Sequence, residues 1–178
     1  MKALDGFIQG IEYFNSPNFN ERPMDIKIDL IVIHAISLPP NNYDTELIKD
    51  LFLNKLEAGQ DPYLASINHL KVSSHFLITR AGQLIQFVPT HLSAWHAGIS
   101  SFKGRENCND FSIGIELEGC DEDEFTGNQY ETLVELVNFL KQEYLIGDSN
   151  IVGHSSIAPG RKTDPGPHFK WNLLKSSP

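Results

Sequence analysis

Two runs rich in apolar residues predict β-strands, and each run also contains a polar residue that could take part in chemistry. DLIVIHAI (29–36) is a continuous, β-branched run of the kind that is buried on both faces of a sheet, and His34 lies near its end. In FSIGIELEG (111–119) apolar and polar side chains alternate, with the two isoleucines and Leu117 on one face. Glu116 is therefore expected on the opposite face of its strand.

Further strands follow from shorter patterns. SSHFLITR (73–80) and QLIQFVP (83–89) flank an Ala-Gly pair, which predicts two antiparallel strands joined by a tight hairpin. NIVGH (150–154) predicts a short strand that ends at His154. The loop over residues 153–167 contains three prolines and three glycines, so we expect no regular structure there.

A helical pattern dominates the last third of the chain. Its apolar positions recur at three- and four-residue spacing: Tyr130, Leu133, Val134, Val137, Leu140 and Tyr144. Thr126 and Gln129 form a capping-box pattern at its start, and Gly147 lies beyond its end. A second helix is predicted over residues 45–54 and a short one in the 60s. Together these elements predict an α/β fold with a central mixed β-sheet flanked by helices.

Composition narrows the picture to one domain over residues 1–178. A chain of 178 residues with 40% hydrophobic content suits a single core. The net charge of -9 argues against a nucleic-acid or anionic-membrane partner, and no segment approaches 18 consecutive apolar residues. The N-terminal segment lacks the unbroken apolar run of a signal peptide, and two cysteines fit a reducing compartment. We therefore expect a cytoplasmic protein without membrane or nucleic-acid partners.

Three polar residues from distant segments suggest a metal site. Each has a structural alternative, since His34 and His154 could be hydrogen-bonded core histidines and Asp164, which precedes Pro-Gly-Pro, could start a turn. Together, two imidazoles and one carboxylate form a common catalytic zinc set that leaves one tetrahedral position open. Zinc lowers the pKa of bound water towards 7 and polarises a carbonyl, which favours hydrolysis of an amide or ester.

Two further residues would complete this chemistry. Glu116 could act as the general base that takes a proton from water and passes it to the leaving nitrogen, although a solvated strand glutamate is the alternative. Lys162, two residues before Asp164, could stabilise an oxyanion, although an exposed loop lysine is the alternative.

Four segments resemble a known family in order along nearly the whole chain. VIHAISLPP (32–40), AWHAG (94–98), GRENCNDFSIGIELEG (104–119) and GHSSIAPGRKTDPGP (153–167) closely resemble the cytoplasmic AmpD-type 1,6-anhydro-N-acetylmuramoyl-L-alanine amidases. The resemblance implies a fold like that of N-acetylmuramoyl-L-alanine amidases and peptidoglycan recognition proteins. It also implies a monomeric zinc enzyme of peptidoglycan recycling, with one Zn²⁺ per chain, that cuts a muropeptide between the lactyl group and L-alanine.

By this resemblance each candidate residue acquires a role. The zinc ligands are His34, His154 and Asp164, and the catalytic pair is Glu116 and Lys162. The implied substrate-binding residues are Trp95, His96 and Ala97 in one groove, and Lys71, Arg105 and Arg161 as partners of substrate carboxylates. For Trp95 the alternative is an aromatic at the edge of the core, and for the three cations it is an ordinary surface position.

The sequence departs from the family pattern at three places that concern substrate binding. Ala35 follows His34 where the family often has Asn, Lys71 stands where Arg is expected, and Asn107 also replaces a familiar Arg. His75 is expected to be packed or to hydrogen-bond a ligand, which would fix the tautomer of that ligand. Residues 37–72 could form a gating region or ordinary connecting structure.

Three other functions are compatible with the same residues. The first is a non-catalytic peptidoglycan-binding module of the same fold, and the second is a cysteine amidase that uses Cys108 or Cys120. The third is an amidase with the same chemistry that acts on intact cell wall. Metal content, thiol alkylation and the choice of substrate separate these possibilities.

Overall fold

A computed structural model of the protein describes residues 1–174. Its strands are Ala3–Leu4 (β1), Phe7–Ile8 (β2), Glu12–Tyr13 (β3), Phe19–Glu21 (β4), Leu30–Ile36 (β5), Phe76–Ile78 (β6), Leu84–Gln86 (β7), Leu92–Ala94 (β8), Ser101–Phe102 (β9), Arg105–Glu106 (β10), Ser112–Glu118 (β11) and Ile151–Gly153 (β12). Its α-helices are Thr45–Phe52 (α1), Pro62–Ile67 (α2), Gly127–Tyr144 (α3) and His154–Ile157 (α4). Short 3-10 turns cover Cys108–Asp110, Asp148–Asn150 and Trp171–Leu173.

The centre of the fold is a mixed six-stranded sheet with the strand order β12-β5-β11-β6-β7-β3. Neighbours from β12 to β6 run parallel, β6 and β7 are antiparallel, and β7 and β3 are again parallel. This confirms the predicted α/β class. Both central strands are buried: this holds for every residue of β11 and for the first five residues of β5, which form a continuous apolar run up to His34.

The hairpin prediction is confirmed, with shorter strands than the sequence pattern suggested. The backbone N–H of Gly82 donates to the carbonyl of Thr79 at 2.8 Å and closes the turn. Gly82 has a φ of +85°, and a Cβ at this position would lie 2.8 Å from the carbonyl oxygen of Asn128. The turn therefore requires glycine both for its backbone conformation and for the close approach of α3.

Helix α3 packs one apolar stripe against one face of the sheet. Thr126 and Gln129 make both hydrogen bonds of the predicted capping box. The helix ends at Tyr144, and Leu145, not a glycine, adopts the left-handed conformation there. Leu133, Leu136 and other residues of the stripe join β5 and β11 in the largest apolar cluster. This packing covers the face of β11 that carries Ile113 and Ile115 and leaves its opposite face for polar side chains.

The loop after β12 differs from the prediction at its start. His154–Ile157 form the short helix α4, because the sequence HSSIA contains neither proline nor glycine. The prolines and glycines begin at Pro159, and from there on the loop is irregular. Within residues 1–174, no helix combines the length and apolar character needed to cross a membrane.

Candidate active site

The parallel register of two strands brings the two predicted histidine ligands together. Gly153 of β12 pairs with Ile33 of β5, so the residues that follow them, His154 and His34, lie side by side. The Nδ1 atoms of these two rings are 2.9 Å apart. Asp164 reaches the same point from the loop, and its Oδ2 lies 3.3 Å from Nδ1 of His34 and 3.2 Å from Nδ1 of His154. Among the described residues, these three form a cluster able to hold a metal ion.

The spacing of the three atoms agrees with a tetrahedral metal site. Bonds of about 2.0–2.1 Å to a tetrahedral zinc place two ligand atoms about 3.3 Å apart. The observed separations of 2.9–3.3 Å are close to this value. Burial is also consistent with a metal site, because His34 and His154 are buried and Asp164 is nearly so.

Hydrogen bonds at the far side of the His154 ring leave its inner nitrogen free to bind a cation. Nε2 of His154 lies 3.1 Å from the carbonyl oxygen of Ala97, which can only accept, and 3.4 Å from Nη2 of Arg161, which can only donate; the shorter contact, with the carbonyl, assigns the proton to Nε2. Its Nδ1 then presents a lone pair towards Asp164 and His34. An acceptor nitrogen that directly faces a carboxylate requires a positive charge between them. The donor set therefore fits a bound metal ion.

The protonation states of His34 and Asp164 also favour metal binding. Burial lowers the pKa of His34 to about 4, so its ring is neutral at pH 7. Burial raises the pKa of Asp164, but contacts with His154 and His34 outweigh it and hold that pKa well below its usual range. A neutral imidazole and an ionised carboxylate are the forms that bind metal.

Glu116 stands directly beside this cluster. It pairs with His34 in the parallel register of β11 and β5, and its side chain is buried on the face away from Ile115, as predicted. Its Oε2 has no hydrogen-bond partner within residues 1–174. Burial raises the pKa of Glu116 well above its usual range; Asp164 raises it further and Lys162 lowers it. A carboxylate in this state is a ready proton acceptor.

A cavity of about 630 Å³ opens over the cluster. His34, Glu116, His154 and Asp164 all contribute to its lining. Its apolar side comes from α2 and the following segment, and its charged side from the loop after α4. The volume is in the range of a small-molecule site.

The structure brings several other predicted residues to this cavity. Trp95 lines it and donates its Nε1–H to Oδ1 of Asn20 at 2.5 Å. His96 lines it and also contacts His34, with Nδ1 of His96 2.9 Å from Nε2 of His34. Arg161 and Lys162 lie at the cavity on the loop after α4, where Lys162 is exposed.

Three residues predicted to bind substrate are not among the lining residues of the cavity. Ala97 is fully buried, and its carbonyl accepts from His154 and from Arg161 at 2.6 Å. Arg105 forms an ion pair with Asp29 at 2.7 Å and lies 3.9 Å over the ring of Phe111. Lys71 is exposed, and the residues on either side of it, Leu70 and Val72, line the cavity. A role of these three residues in substrate binding stays a prediction.

His75 is packed and does not hydrogen-bond a ligand. Its Nδ1 accepts the backbone N–H of Gly114 at 3.0 Å, and its Nε2 lies 3.0 Å from the carbonyl of Leu92. Its Nε2 also lies 3.2 Å from Nη2 of Arg22, and burial together with that charge lowers the pKa of His75 to about 3, so the ring is neutral at pH 7. The histidine that contacts His34 from behind is His96, which also lines the cavity, where the family resemblance implies a substrate-binding role.

The two cysteines lie in different surroundings, and no histidine hydrogen-bonds to either thiol within residues 1–174. Cys108 is fully buried, and burial raises the pKa of its thiol. Cys120 lines the cavity, and its Sγ lies 3.6 Å from the hydroxyl of Tyr43. These contacts disfavour the cysteine-amidase alternative.

Comparisons with known proteins agree with this geometry. A model of the N-acetylmuramoyl-L-alanine amidase family matches residues 24–167. The 1,6-anhydro-N-acetylmuramyl-L-alanine amidase AmpD of Citrobacter freundii is 47% identical over 172 residues, which are 97% of this chain and 92% of that protein.

Solved structures show the same fold. A crystal structure of a selenomethionine derivative of AmpD matches with a TM-score of 0.94 and 45% identity, over 98% of this chain and 97% of that one. AmiD from E. coli, solved with the substrate anhydro-N-acetylmuramic acid-L-Ala-D-gamma-Glu-L-Lys, matches with a TM-score of 0.62 and 32% identity, over 86% of this chain and 59% of that one.

Proposed function

The chain belongs to the N-acetylmuramoyl-L-alanine amidase family, and from this membership we propose that it is a zinc-dependent amidase of peptidoglycan recycling. The bond cleaved is the amide between the lactyl group of 1,6-anhydro-N-acetylmuramic acid and the L-alanine of the stem peptide. One observation carries the proposal: a metal-binding donor set and the carboxylate of Glu116, whose Oε2 has no hydrogen-bond partner within residues 1–174, lie together on the wall of one cavity.

The metal is proposed to be Zn²⁺, one per chain, held by His34, His154 and Asp164. Two imidazoles and one carboxylate are a common ligand set of catalytic zinc, with the fourth position open to water or substrate. When bound, zinc supplies Lewis acidity, which lowers the pKa of water and polarises the scissile carbonyl.

The side chains of the protein handle the proton and the developing charge. Glu116, whose pKa is raised mainly by burial, takes a proton from the attacking water and returns it to the amine of the departing L-alanine. Lys162 is close enough to lower the pKa of Glu116, and its ammonium stabilises the negative charge that develops on the carbonyl oxygen.

Substrate contacts are assigned to the remaining lining residues. The ring of Trp95 offers a flat surface for the sugar, and Tyr63, Ile67 and Leu70 form an apolar wall. Arg161 provides a cation for a carboxylate of the stem peptide. The AmpD relative is a 1,6-anhydro-N-acetylmuramyl-L-alanine amidase, and AmiD was solved with anhydro-N-acetylmuramic acid-L-Ala-D-gamma-Glu-L-Lys as its substrate, which supports this substrate class. We further propose a monomer that acts in the cytoplasm.

The decisive experiment offers the purified protein two substrates in parallel. Anhydro-muropeptide and intact sacculi are incubated with protein of measured zinc content, and release of free stem peptide is followed by mass spectrometry. We expect release from the anhydro-muropeptide, loss of release with a chelator, and recovery on adding Zn²⁺. Preference for sacculi would contradict the recycling role, whereas zinc-loaded protein that cleaves neither substrate would be a binding module.

A further inference from the structure

A chain of hydrogen bonds extends from His34 into the core, away from the cavity. Nε2 of His34 lies 2.9 Å from Nδ1 of His96. Nε2 of His96 lies 3.0 Å from Oγ of Ser112, and that hydroxyl is 2.6 Å from the carbonyl oxygen of Cys108. Ser112 and Cys108 are fully buried, and His96 is nearly so. This chain connects the metal-facing ring with a backbone acceptor at the other end of β11.

The carbonyl oxygen of Cys108 at the end of the chain decides which atom donates in each of its hydrogen bonds. The carbonyl of Cys108 can only accept, so the single hydroxyl proton of Ser112 is donated to it. Oγ of Ser112 then accepts the Nε2 proton of His96, which leaves Nδ1 of His96 without a proton. His34 must donate its Nε2 proton to that nitrogen. Nδ1 of His34 is thereby left with a lone pair, directed at His154 and Asp164.

The position of His96 is fixed by its surroundings. The backbone N–H groups of His96 and Ala97 both donate to Oδ1 of Asn109, at 3.1 and 2.8 Å. The ring of His96 rests on Gly114 of β11, where a Cβ would lie only 2.4 Å from its Cγ. The ring therefore occupies the space that any other residue at position 114 would fill.

We propose that Ser112 is a positioning residue of the metal site: through His96 it holds His34 in the tautomer whose Nδ1 is free to bind the metal. This inference rests on the proposed function in one respect, namely that His34 is a metal ligand. Neither Ser112 nor His96 touches the metal in this arrangement. Their effect is on affinity, because a ring held in the other tautomer must move its proton before it can bind.

The test compares Ser112→Ala with Ser16→Ala. Ser16 is a matched control because it too is fully buried, donates its hydroxyl to a carbonyl at 2.6 Å, that of Phe52, and accepts one N–H, from Asn18. Zinc affinity is measured by competition with a chelator, and thermal unfolding is recorded for both variants. Ser112→Ala is expected to bind zinc about 10- to 100-fold more weakly than the wild type. Ser16→Ala is expected to lose comparable stability and keep its zinc affinity.

A second measurement needs no variant. In the ¹⁵N-labelled wild-type protein, an N–H···N bond between His34 and His96 produces a scalar coupling between the two ring nitrogens. We expect that coupling, with Nδ1 of His96 as the unprotonated partner. A proton on Nδ1 of His96 would overturn the inference even if Ser112→Ala does not fold.

The outcomes separate this inference from the proposed function. Wild-type protein that binds zinc, together with a Ser112→Ala variant of equal affinity, would overturn the positioning role alone. Equal losses of zinc affinity in Ser112→Ala and Ser16→Ala would do the same, since a general packing effect would then explain both. Wild-type protein that shows the coupling and takes up no zinc would instead refute the metal site.

Discussion

Replacing Glu116 by Gln separates proton transfer from metal binding. The change keeps the shape of the side chain and removes its charge and its basicity. General bases contribute about 100- to 10,000-fold to rate, which corresponds to about 2.7–5.5 kcal/mol at 1.36 kcal/mol per tenfold. Glu116 is not among the three ligand residues, so we expect Glu116→Gln to lose turnover by this factor and to keep its zinc.

The same change should make the zinc-free protein more stable at neutral pH. The pKa of Glu116 is raised in the folded state, first by burial and then by Asp164. Above its ordinary pKa of 4.5 the unfolded chain releases this proton before the folded protein does, so the folded state loses stability as pH rises towards the raised pKa. Burying an ionised group without a partner costs about 1–3 kcal/mol or more, and Glu116→Gln removes this charge and its repulsion from Asp164, so we expect a gain of that order. At about 2–4 °C per kcal/mol, the Tm should rise by several degrees.

The assay combines kcat on anhydro-muropeptide, zinc content and thermal unfolding across pH. Glu118→Gln is the matched control, because Glu118 lies on the same face of β11 and its two oxygens accept from Thr45 and from the backbone of Arg80, both at 2.8 Å. It should lose stability and keep turnover. The wild-type rate should fall at pH values low enough to protonate Glu116, and that acid limb should vanish in Glu116→Gln. Turnover of Glu116→Gln within tenfold of the wild type would refute the assignment of Glu116 as the base.

Three further variants test other parts of the structure. Asp164→Ala should lose both metal and activity, because the only anionic ligand is removed; stoichiometric zinc in the dialysed variant would contradict the ligand assignment. Arg161→Ala should raise KM by about 10- to 100-fold, the equivalent of one charge-assisted hydrogen bond. Arg105→Ala should leave KM unchanged, because Arg105 pairs with Asp29 away from the cavity. Equal KM values for the two variants would refute this distinction. Thr126→Ala should lower stability by about 1 kcal/mol through loss of the helix cap and leave kcat unaltered, as measured by thermal unfolding and steady-state kinetics.

The sequence predicted those parts of the fold that depend on local periodicity. Strand β11, the hairpin around Gly82 and helix α3 with its cap all follow from alternation, turn residues or helical spacing, which are properties of neighbouring residues. The left-handed end of α3 at Leu145 was missed, because Leu has no propensity for that conformation and only the packed chain selects it.

Site residues divide in the same way. His34, His154 and Glu116 lie on or directly after strands, so strand register brings them together once the sheet is known. Lys71 and Arg105 belong to irregular segments or very short strands, whose directions depend on tertiary contacts such as the ion pair with Asp29. The sequence therefore locates a polar residue on a long buried strand more reliably than a basic residue in an irregular segment.

Alternate residues of β11 lie on the same face of the sheet, and those on its polar face serve both the metal site and the histidine chain. Ser112 directs a proton towards Cys108, Gly114 leaves room for the ring of His96, Glu116 meets the cavity, and Glu118 accepts from Thr45 at the start of α1. All four positions are on one face because the strand alternates, while Ile113, Ile115 and Leu117 on the other face pack against α3. A one-residue shift of β11 would turn the isoleucines towards the metal site and bury the carboxylates against α3. The apolar core beneath α3 therefore fixes the register on which the proton acceptor and the histidine chain both depend.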